Sequence, residues 1–505
     1  MGAPGLAESG NASGLRRWWQ GFTAPLLAIA AVMLAIHLST NGRYGFHTDE
    51  LYYIVSGQHL AFGYVDFPPV TPVLAWLDTS IFGIAPWTLR LFPALAGAVV
   101  VFLAGMFARE MGGGRRVAIF ASVVALMTPL LLGTWLFQTV EFDVLTWSLA
   151  IYLMLRLLRT GDARLFILLG VDLGLGIETK STILGLCAGI AVAVLVSQDL
   201  RALLRTRYPW IGMLIALALA APNVGWQLAN GFPTLIYTRN HGGDISHGGG
   251  VAAFVDVFIL TMGPLLLPLW IAGLVFLFRS RSLRPMAVLT VVAILLFLPI
   301  GKGYYPAPTT PMVLAAGCVA AGRIVSLARR RWVFGLVIAG GVLEAAVLLV
   351  ILLPVIPASS MHAYGVDKTN PDFANTAGWP EMVQQVGAVY NALPPSQRVT
   401  TSILTSIDGQ AGAIDIYGGR EHLPEAISPH LSFWYWKPAN LDATTLVTVG
   451  YQPSELEFLC GTITRAGTVS IPYSIDNLNQ GAPILVCTNL RESINAAWPA
   501  LRNFS

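Results

Sequence analysis

Long stretches of apolar residues recur along the first 356 residues of the chain, and short charged segments separate them. A helix needs about 20 apolar residues to cross the hydrocarbon core of a membrane. The pattern therefore predicts a polytopic α-helical membrane protein with about eleven transmembrane helices. The predicted stretches are residues 22–39, 91–108, 117–140, 144–158, 165–178, 181–197, 208–226, 257–278, 285–300, 305–322 and 332–356.

Arginines occupy every second connection between the apolar stretches. Basic residues are enriched in cytoplasmic loops, so the alternation predicts a cytoplasmic N-terminus and, with an odd number of crossings, an extracytoplasmic C-terminal part. We expect a multi-pass protein of the cell inner (plasma) membrane, in contact with membrane lipid, whose first apolar stretch is an uncleaved anchor. The arginines that carry the signal are Arg16, Arg17, Arg109, Arg115, Arg116, Arg156, Arg159, Arg164, Arg201, Arg205, Arg207, Arg279, Arg281, Arg284, Arg323, Arg329, Arg330 and Arg331.

The composition of the chain changes after residue 356. Residues 1–356 hold 23 basic and 15 acidic residues, whereas residues 357–505 hold 7 basic and 12 acidic ones, with loops rich in Pro, Gly and Asn. This split predicts a transmembrane domain, residues 1–356, followed by a soluble extracytoplasmic α+β domain, residues 357–505. The positive excess of the first part follows from membrane topology, so we expect no nucleic-acid partner.

Short segments of the C-terminal part have their own patterns. Residues 445–449 and 483–487 favour strands, and a helix is predicted near residues 378–392. Cys460 and Cys487 both lie in this part of the chain, where an oxidising compartment permits a disulfide. Two cysteines alone do not establish that bond, so the pairing stays open.

The first outer loop, residues 40–88, contains most of the candidate chemistry. Asp49 and Glu50 are adjacent and lie where a membrane helix emerges, and ionised side chains at that depth are costly unless they are paired or functional. We interpret them as candidate catalytic residues. The alternative is that the acids favour the N-terminus of a helix that begins there. Apolar spacing at residues 49–61 and 69–83 predicts two helices in the plane of the membrane interface.

Two lysines stand out in the membrane part. Lys180 and Lys302 both fall at predicted outer ends of spans, against the positive-inside bias. Either lysine alone is typical of a side chain that extends to the interface. Two of them beside an acidic outer loop predict an anionic ligand, such as a lipid-linked phosphate. Tyr304 and Tyr305 are candidates to hydrogen-bond that ligand, or members of the aromatic belt.

A third outer element carries Glu141 and Asp143, between two predicted spans. Asp143 is in a suitable position to cap the following helix, whereas capping does not account for Glu141. We therefore expect outward-facing carboxylates at this point as well.

These elements, in this order, resemble the GT-C superfamily of integral-membrane glycosyltransferases. Within it they are similar to glycosyltransferase family 39, which contains the protein O-mannosyltransferases and the aminoarabinose transferases. The Asp-Glu pair of the first outer loop is the most specific of the matching features. The matching segments are His47–Tyr53, Asp66–Pro69, Glu141–Asp143, Leu173–Thr182, Gly301–Pro311 and Leu431–Trp436.

The resemblance implies a polyprenyl-phosphate sugar donor, transfer on the extracytoplasmic side, and Asp49 as the catalytic carboxylate. Phe67 stands where some relatives have a basic residue before Pro-Pro, so we expect phosphate contacts from Lys180, Lys302 and Arg43 instead. Further expected donor contacts come from Tyr304 and Tyr305, and expected sugar or acceptor contacts from Asp66, Glu141, Asp143 and His47.

Some relatives bind a metal near this loop, and Asp66, His47 and His59 are the candidate ligands here. Their spacing is not diagnostic of a metal site. We therefore assign no cofactor, and a divalent metal stays open.

The residues themselves predict the same chemistry. An acceptor hydroxyl becomes a good nucleophile when a positioned carboxylate accepts its proton, an effect of about 10²–10⁴-fold. Cationic side chains stabilise a phosphate leaving group. We predict a glycosyltransferase that inverts the anomeric centre of the sugar, with a protein, lipid or glycan of the cell envelope as acceptor.

Two other interpretations remain at this point. A transporter or flippase of lipid-linked sugars would depend on acids deep in the membrane, here Asp172 and Glu344. The other alternative to an enzyme is a structural protein whose outer domain binds a partner.

Overall fold

The computed structural model describes residues 9–245, 250–328, 332–438 and 441–505. A bundle of apolar helices makes up the first part, and a smaller part built around a sheet follows, so the expected fold class is confirmed. The helices of the first part are α1 (Ser9–Thr40), α2 (Thr48–Gln58), α3 (Val70–Phe82), α4 (Pro86–Leu89), α5 (Leu91–Glu110), α6 (Arg115–Leu126), α7 (Pro129–Leu132), α8 (Thr139–Thr160), α9 (Leu165–Ile177), α10 (Ile183–Val196), α11 (Gln198–Leu203), α12 (Tyr208–Ala229), α13 (Pro233–Ile245), α14 (Gly250–Met262), α15 (Leu267–Arg279), α16 (Arg284–Phe297), α17 (Thr310–Ala328) and α18 (Trp332–Leu352).

All of the predicted apolar stretches contain helix. Within the described residues, four helices are long and apolar enough to cross a membrane, and one bent pair is a candidate for a fifth. The four are Phe22–Thr40, Pro86–Glu110, Tyr208–Ala229 and Gly335–Leu352. Several other apolar helices are shorter than a full span, so the eleven crossings and their orientation stay predictions. Of the arginines that carry the orientation signal, residues 329–331 lie outside the described part of the chain.

Two of the predicted stretches are interrupted, and the single helices expected there are wrong. Residues 117–140 divide into α6, α7 and the start of α8, because Pro129 has no N–H for a helical bond and the Thr128 hydroxyl caps the new helix α7. Residues 257–278 divide at Gly263. This glycine has a φ of 105°, which is not a helical value, and the next residue is a proline. The helices on either side of this break meet at 84°.

The C-terminal part contains one mixed sheet of strand order β2-β1-β3-β5-β4 among the described residues. β1 is parallel to β2 and β3, whereas β5 is antiparallel to β3 and β4. The strands are β1 (Thr401–Thr405), β2 (Ala426–Ile427), β3 (Thr445–Val449), β4 (Cys460–Thr468) and β5 (Pro483–Leu490). The helices are α19 (Val366–Thr369), α20 (Pro371–Ala374), α21 (Trp379–Ala392), α22 (Pro395–Arg398), α23 (Asp408–Tyr417), α24 (Phe433–Trp436), α25 (Pro453–Leu456) and α26 (Ile494–Leu501).

The local predictions for this part are confirmed. Residues 445–449 form β3, residues 483–487 lie in β5, and the helix expected near residues 378–392 is α21. Cys460 and Cys487 form a disulfide with their Cα atoms 5.6 Å apart. The bond therefore joins the edge strand β4 to its neighbour β5.

The C-terminal part packs directly on the first outer loop, where α2 and α3 are the two helices expected from the sequence. Gly412 of α23 approaches α2 so closely that a Cβ atom there would lie 3.1 Å from the Leu51 backbone. The Tyr52 hydroxyl accepts a hydrogen bond from the Ser432 backbone N–H (2.9 Å), and the Val65 N–H donates to the Ser432 hydroxyl (3.0 Å). One apolar core runs through both parts, so the proposed domain boundary stays a prediction.

Candidate active site

A cavity of about 960 Å³ lies between the helical bundle and the C-terminal part. Its volume falls within the range of about 300–1,000 Å³ that is usual for ligand sites. Its wall brings together most of the site residues expected from the sequence, although they come from separate segments. Those residues are Asp49, Asp66, Glu141, Lys180, Lys302, Tyr304 and Tyr305.

Asp49 lies in the first turn of α2 and faces the cavity. Its Oδ2 accepts a hydrogen bond from Gln138 Nε2 (2.9 Å), whereas its Oδ1 accepts none from the described residues. The side chain is 43% exposed, and it lines the cavity. Although the carboxylate is open to the cavity, desolvation by the surrounding protein raises the pKa of Asp49, and the carboxylates of Asp408 and Asp372 raise it further, whereas His47 opposes the rise when its ring is protonated. A raised pKa makes a carboxylate a better proton acceptor near neutral pH.

Glu50 is held by structural contacts and does not face the cavity. It is completely buried, and Arg90 Nε and Nη2 donate to its two oxygens at 2.8 and 2.7 Å. The backbone N–H groups of Phe137 and His47 donate to the same carboxylate at 2.9 and 2.8 Å. Because its acceptor positions are occupied in this way, the geometry does not support the catalytic role expected for Glu50. Of the adjacent pair, Asp49 is the member that faces the cavity.

Lys180 and Lys302 approach each other at the aromatic wall of the cavity. The Lys180 Nζ lies 5.5 Å from the ring centre of Tyr304 and 5.6 Å from that of Tyr305, and the Lys302 Nζ lies 5.7 Å from the ring centre of Tyr305. These distances are within the range of cation–π attraction. Burial lowers the pKa of Lys180, and Lys302 lowers it further against the opposing carboxylates. An anion bound between the lysines would therefore be stabilised by both charges.

Glu141 and Asp143 occupy different positions although they lie on the same turn of α8. Glu141 lines the cavity, and its Oε2 has no hydrogen-bond partner among the described residues. Asp143 is buried behind the wall, where it accepts hydrogen bonds from Trp147 Nε1 (3.0 Å) and the Thr182 hydroxyl (2.7 Å). The ligand contact expected for Asp143 therefore has no support in the geometry, because its oxygens hold the turn that carries Lys180.

Asp66 follows α2 and lies on the cavity wall. Its Oδ1 accepts a hydrogen bond from the Tyr52 hydroxyl (3.0 Å). Burial raises the pKa of Asp66 to about 8, and the nearby charge of Asp408 contributes to the rise. Asp66 therefore keeps its proton to a higher pH than a free aspartate, and in the protonated form it is a donor as well as an acceptor of hydrogen bonds.

Sequence reasoning missed two aspartates, Asp372 and Asp408, that the C-terminal part contributes to the cavity beside His430. The two aspartates lie in the first turns of α20 and α23, where acids are common for helix stability alone. His430 Nδ1 lies 2.9 Å from Asp408 Oδ1. Burial lowers the pKa of His430, but the hydrogen bond and charge of Asp408 outweigh burial, so the net shift is upward. The signal in the sequence was the position of His430 directly before the segment Leu431–Trp436 that carries the family resemblance.

Arg43 and His47 do not line the cavity. Arg43 is exposed, and its Nη1 donates to the backbone carbonyl of Val355 (3.2 Å). His47 is buried and caps the N-terminus of α2. The phosphate contact expected for Arg43 and the ligand contact expected for His47 are therefore not supported by their positions.

The residues considered for a metal site do not fit one. The His59 ring stacks on Trp436 with ring centres 4.7 Å apart, Asp66 accepts from a tyrosine, and His47 lies against Asp372. In the described ranges, no three His, Cys, Asp or Glu side chains come together in a way that could hold a metal ion. We therefore derive no step of the chemistry through a metal.

The deep acids that a transporter would use lie away from the cavity. Asp172 is buried in α9, and Glu344 of α18 lies beside the helix break at Gly263. Neither residue lines the cavity, whose acids come from the outer loops and the C-terminal part. The charge distribution around the cavity therefore favours chemistry at one face of the membrane over transport through it.

Comparison with known proteins adds a family match and a fold match. The model of the dolichyl-phosphate-mannose-protein mannosyltransferase family matches residues 66–226, less than half of the chain. Comparison with curated protein sequences finds no match.

Among solved structures, ArnT from Cupriavidus metallidurans bound to undecaprenyl phosphate has a TM-score of 0.61 at 16% identity, covering 92% of this chain and 98% of that chain. Its apo state gives a TM-score of 0.60 at 16% identity, covering 91% and 97%. The oligosaccharyltransferase of Archaeoglobus fulgidus, in complex with Zn and sulfate, is less similar, with a TM-score of 0.49 at 14% identity and coverage of 91% and 74%. This chain is therefore similar to the dolichyl-phosphate-mannose-protein mannosyltransferase family over residues 66–226, and it shares the fold of ArnT over nearly its whole length.

Proposed function

We propose that the protein transfers a sugar from a polyprenyl-phosphate donor to a hydroxyl of a cell-envelope acceptor, with Asp49 as the general base. The observation that carries the proposal is the charge distribution of the cavity, whose lining includes the carboxylate of Asp49 and the ammonium groups of Lys180 and Lys302. Transfer takes place at the extracytoplasmic face of the plasma membrane, with the N-terminus in the cytoplasm and residues 357–505 outside. The fold supports a lipid-phosphate donor, since ArnT has the same fold and has been seen with undecaprenyl phosphate bound.

The lysine pair binds the phosphate of the donor. Two ammonium groups near one tyrosine ring provide charge-assisted hydrogen bonds for the phosphate oxygens. The lowered pKa of Lys180 reflects burial and the like charge of Lys302, and the negative charge of an incoming phosphate opposes both effects. The cavity holds the sugar and the phosphate, while the apolar polyprenyl chain stays in the membrane.

The reaction is a single displacement at the anomeric carbon. The acceptor oxygen attacks that carbon while its bond to the phosphate oxygen breaks, and the phosphate leaves with the electron pair. The acceptor proton moves to Asp49 Oδ1, the oxygen that takes no hydrogen bond from the described residues. Attack from the face opposite the leaving group inverts the configuration of the sugar. The base contributes about 10²–10⁴-fold to the rate, and the lysines stabilise the charge on the leaving phosphate.

The test is a transfer assay with purified protein in detergent. Polyprenyl phosphates that carry different pentoses, hexoses and aminosugars are supplied one at a time, together with an envelope fraction that contains protein, lipid and glycan acceptors. Wild type is compared with Asp49→Asn and with Asp442→Asn, a matched control in which an exposed aspartate is changed.

We expect wild type and Asp442→Asn to move sugar from at least one donor, and Asp49→Asn to lose at least about 100-fold of that rate. Equal rates in all three proteins would contradict the assignment of the base and favour Glu141 or Asp408 in its place. Binding of polyprenyl phosphate without turnover of any donor would contradict the proposed transfer itself.

A further inference from the structure

We propose that His47 and Asp372 are positioning residues, through which the C-terminal part holds the base Asp49 in its reactive orientation. This inference rests on the proposed function, because it deepens the account of the same site. Neither side chain needs to touch the reacting atoms for the effect. The C-terminal part would then set the reaction rate in addition to closing the cavity.

The His47 ring lies against the first turn of α2. His47 is the N-cap residue of α2, its Nδ1 accepts a hydrogen bond from the Asp49 backbone N–H (3.2 Å), and it lies 3.9 Å from Asp49 Oδ1. The backbone N–H of His47 donates to Glu50 Oε2 (2.8 Å), which completes a capping box. The ring is therefore fixed against the turn that carries the base.

The other ring nitrogen of His47, Nε2, faces Asp372. Because Nδ1 accepts a hydrogen bond, the proton of neutral His47 is on Nε2. That nitrogen is buried, has no hydrogen-bond partner within the described residues, and lies 3.6 Å from Asp372 Oδ1. Asp372 thus supplies the negative charge that favours this tautomer, in the way that a carboxylate orients a catalytic imidazole in other enzymes.

Asp372 is itself held in place by its neighbours in the C-terminal part. The Asn370 side chain caps α20 by accepting from the Asp372 backbone N–H (3.1 Å), and its amide donates to the Ile351 carbonyl at the end of α18 (2.8 Å). The Thr376 carbonyl lies only 2.5 Å from the point where Gly45 would carry a Cβ, so no larger side chain fits between this segment and the turn before His47. A carboxylate of the C-terminal part is therefore placed against the first outer loop.

The consequence is that Asp49 is held from two sides. Gln138 holds the Oδ2 atom of Asp49. The His47–Asp372 pair holds the Asp49 backbone and lies next to its Oδ1 atom. Loss of the pair lets the base move relative to the acceptor, and a displacement of about 1 Å costs up to about 100-fold in rate. The donor phosphate is bound by other residues, so its affinity is independent of this pair.

A double-mutant cycle on the transfer rate tests the inference. His47→Gln, Asp372→Asn and the double variant are assayed with the polyprenyl-phosphate sugar that wild type turns over. Each single variant is expected to lower kcat about 10-fold with an unchanged KM for the donor, and the double variant to be no slower than the slower single variant. Asp367→Asn is the matched control, because it removes a carboxylate paired with His362 in the same part of the chain but away from the cavity. It is expected to leave kcat unchanged.

Losses that multiply in the double variant would overturn the inference, since they would mean that Asp372 acts independently of His47, as a direct contact to substrate. A raised donor KM in Asp372→Asn would overturn it as well. The proposed function is tested separately by Asp49→Asn. If this variant loses the transfer rate while the cycle shows no coupling, the inference fails and the proposed function stands.

A second readout does not depend on turnover. Nitrogen NMR of the histidine-labelled protein, recorded at a pH where His47 is neutral, reports which ring nitrogen of His47 carries the proton. We expect the Nε2–H form in wild type and in Asp367→Asn, and a mixture of tautomers in Asp372→Asn. The same tautomer in all three proteins would contradict the role given to Asp372.

Discussion

The buried pair of Glu50 and Arg90 gives a prediction that separates the two adjacent acids of the first outer loop. Both side chains are completely buried, and two direct hydrogen bonds of 2.8 and 2.7 Å join them. Glu50→Gln keeps the shape of the side chain and removes its charge, so the guanidinium stays in the interior without a counter-charge. Breaking a buried pair in this way costs about 3–5 kcal/mol of the free energy of unfolding. Asp49→Asn, at the cavity wall, is expected to change stability by less than about 1 kcal/mol.

The assay is thermal unfolding of the purified proteins in detergent, followed by the loss of monodisperse protein. Glu50→Gln should unfold several degrees below wild type, and the double variant Glu50→Gln with Arg90→Met should recover part of the loss, because it no longer buries an unpaired charge. Transfer activity is measured below the unfolding temperature. A Glu50→Gln protein with wild-type stability and no activity would refute the reasoning and return Glu50 to the chemistry.

Three further predictions address the donor site, the C-terminal sheet and the cavity acids. Lys302→Gln should raise the donor KM about 10- to 100-fold through loss of a charge-assisted hydrogen bond, whereas Arg43→Gln, exposed and outside the cavity, should leave it unchanged. Cys487→Ser should lower the free energy of unfolding of the C-terminal part by about 3 kcal/mol, as expected for a disulfide that closes a loop of 27 residues, and reductant should destabilise wild type but not the variant. Burial raises the pKa of Asp66 from 3.8 to about 8. Between these pH values the folded protein therefore binds more protons than the unfolded chain. The contribution of Asp66 to the free energy of unfolding consequently falls as the pH rises from about 4 to about 8. Asp66→Asn should therefore lose less thermal stability than wild type between about pH 5 and pH 8, and parallel curves would contradict the assignment.

The sequence predicted the helical class and much of the site because both depend on local patterns. Apolar stretches identified the bundle, and acids or lysines at the ends of those stretches identified residues that converge on one cavity. The interruption of residues 117–140 was missed because the stretch contains no charged residue on either side of Pro129, and hydropathy does not register a missing backbone N–H. Hydropathy likewise does not register the backbone break at Gly263.

The roles of adjacent residues were harder to predict. Asp49 and Glu50 are chemically alike and one position apart, yet one faces the cavity and the other meets Arg90, a residue 40 positions away. The contribution of Asp372 and Asp408 was missed for a related reason. Both are acids in the first turn of a short helix, which is an ordinary local arrangement, and their position at the cavity follows from how the C-terminal part packs on α2.

The most direct test of the central claim compares donor binding and turnover in Asp49→Asn. Binding of undecaprenyl phosphate and the rate of sugar transfer are measured on the same preparation, beside wild type. Our account predicts an unchanged affinity for the lipid phosphate, which the lysines bind, and a loss of at least about 100-fold in the transfer rate. Retention of the rate, or a loss of rate explained by a matching loss of affinity, would contradict the assignment of Asp49 as the general base.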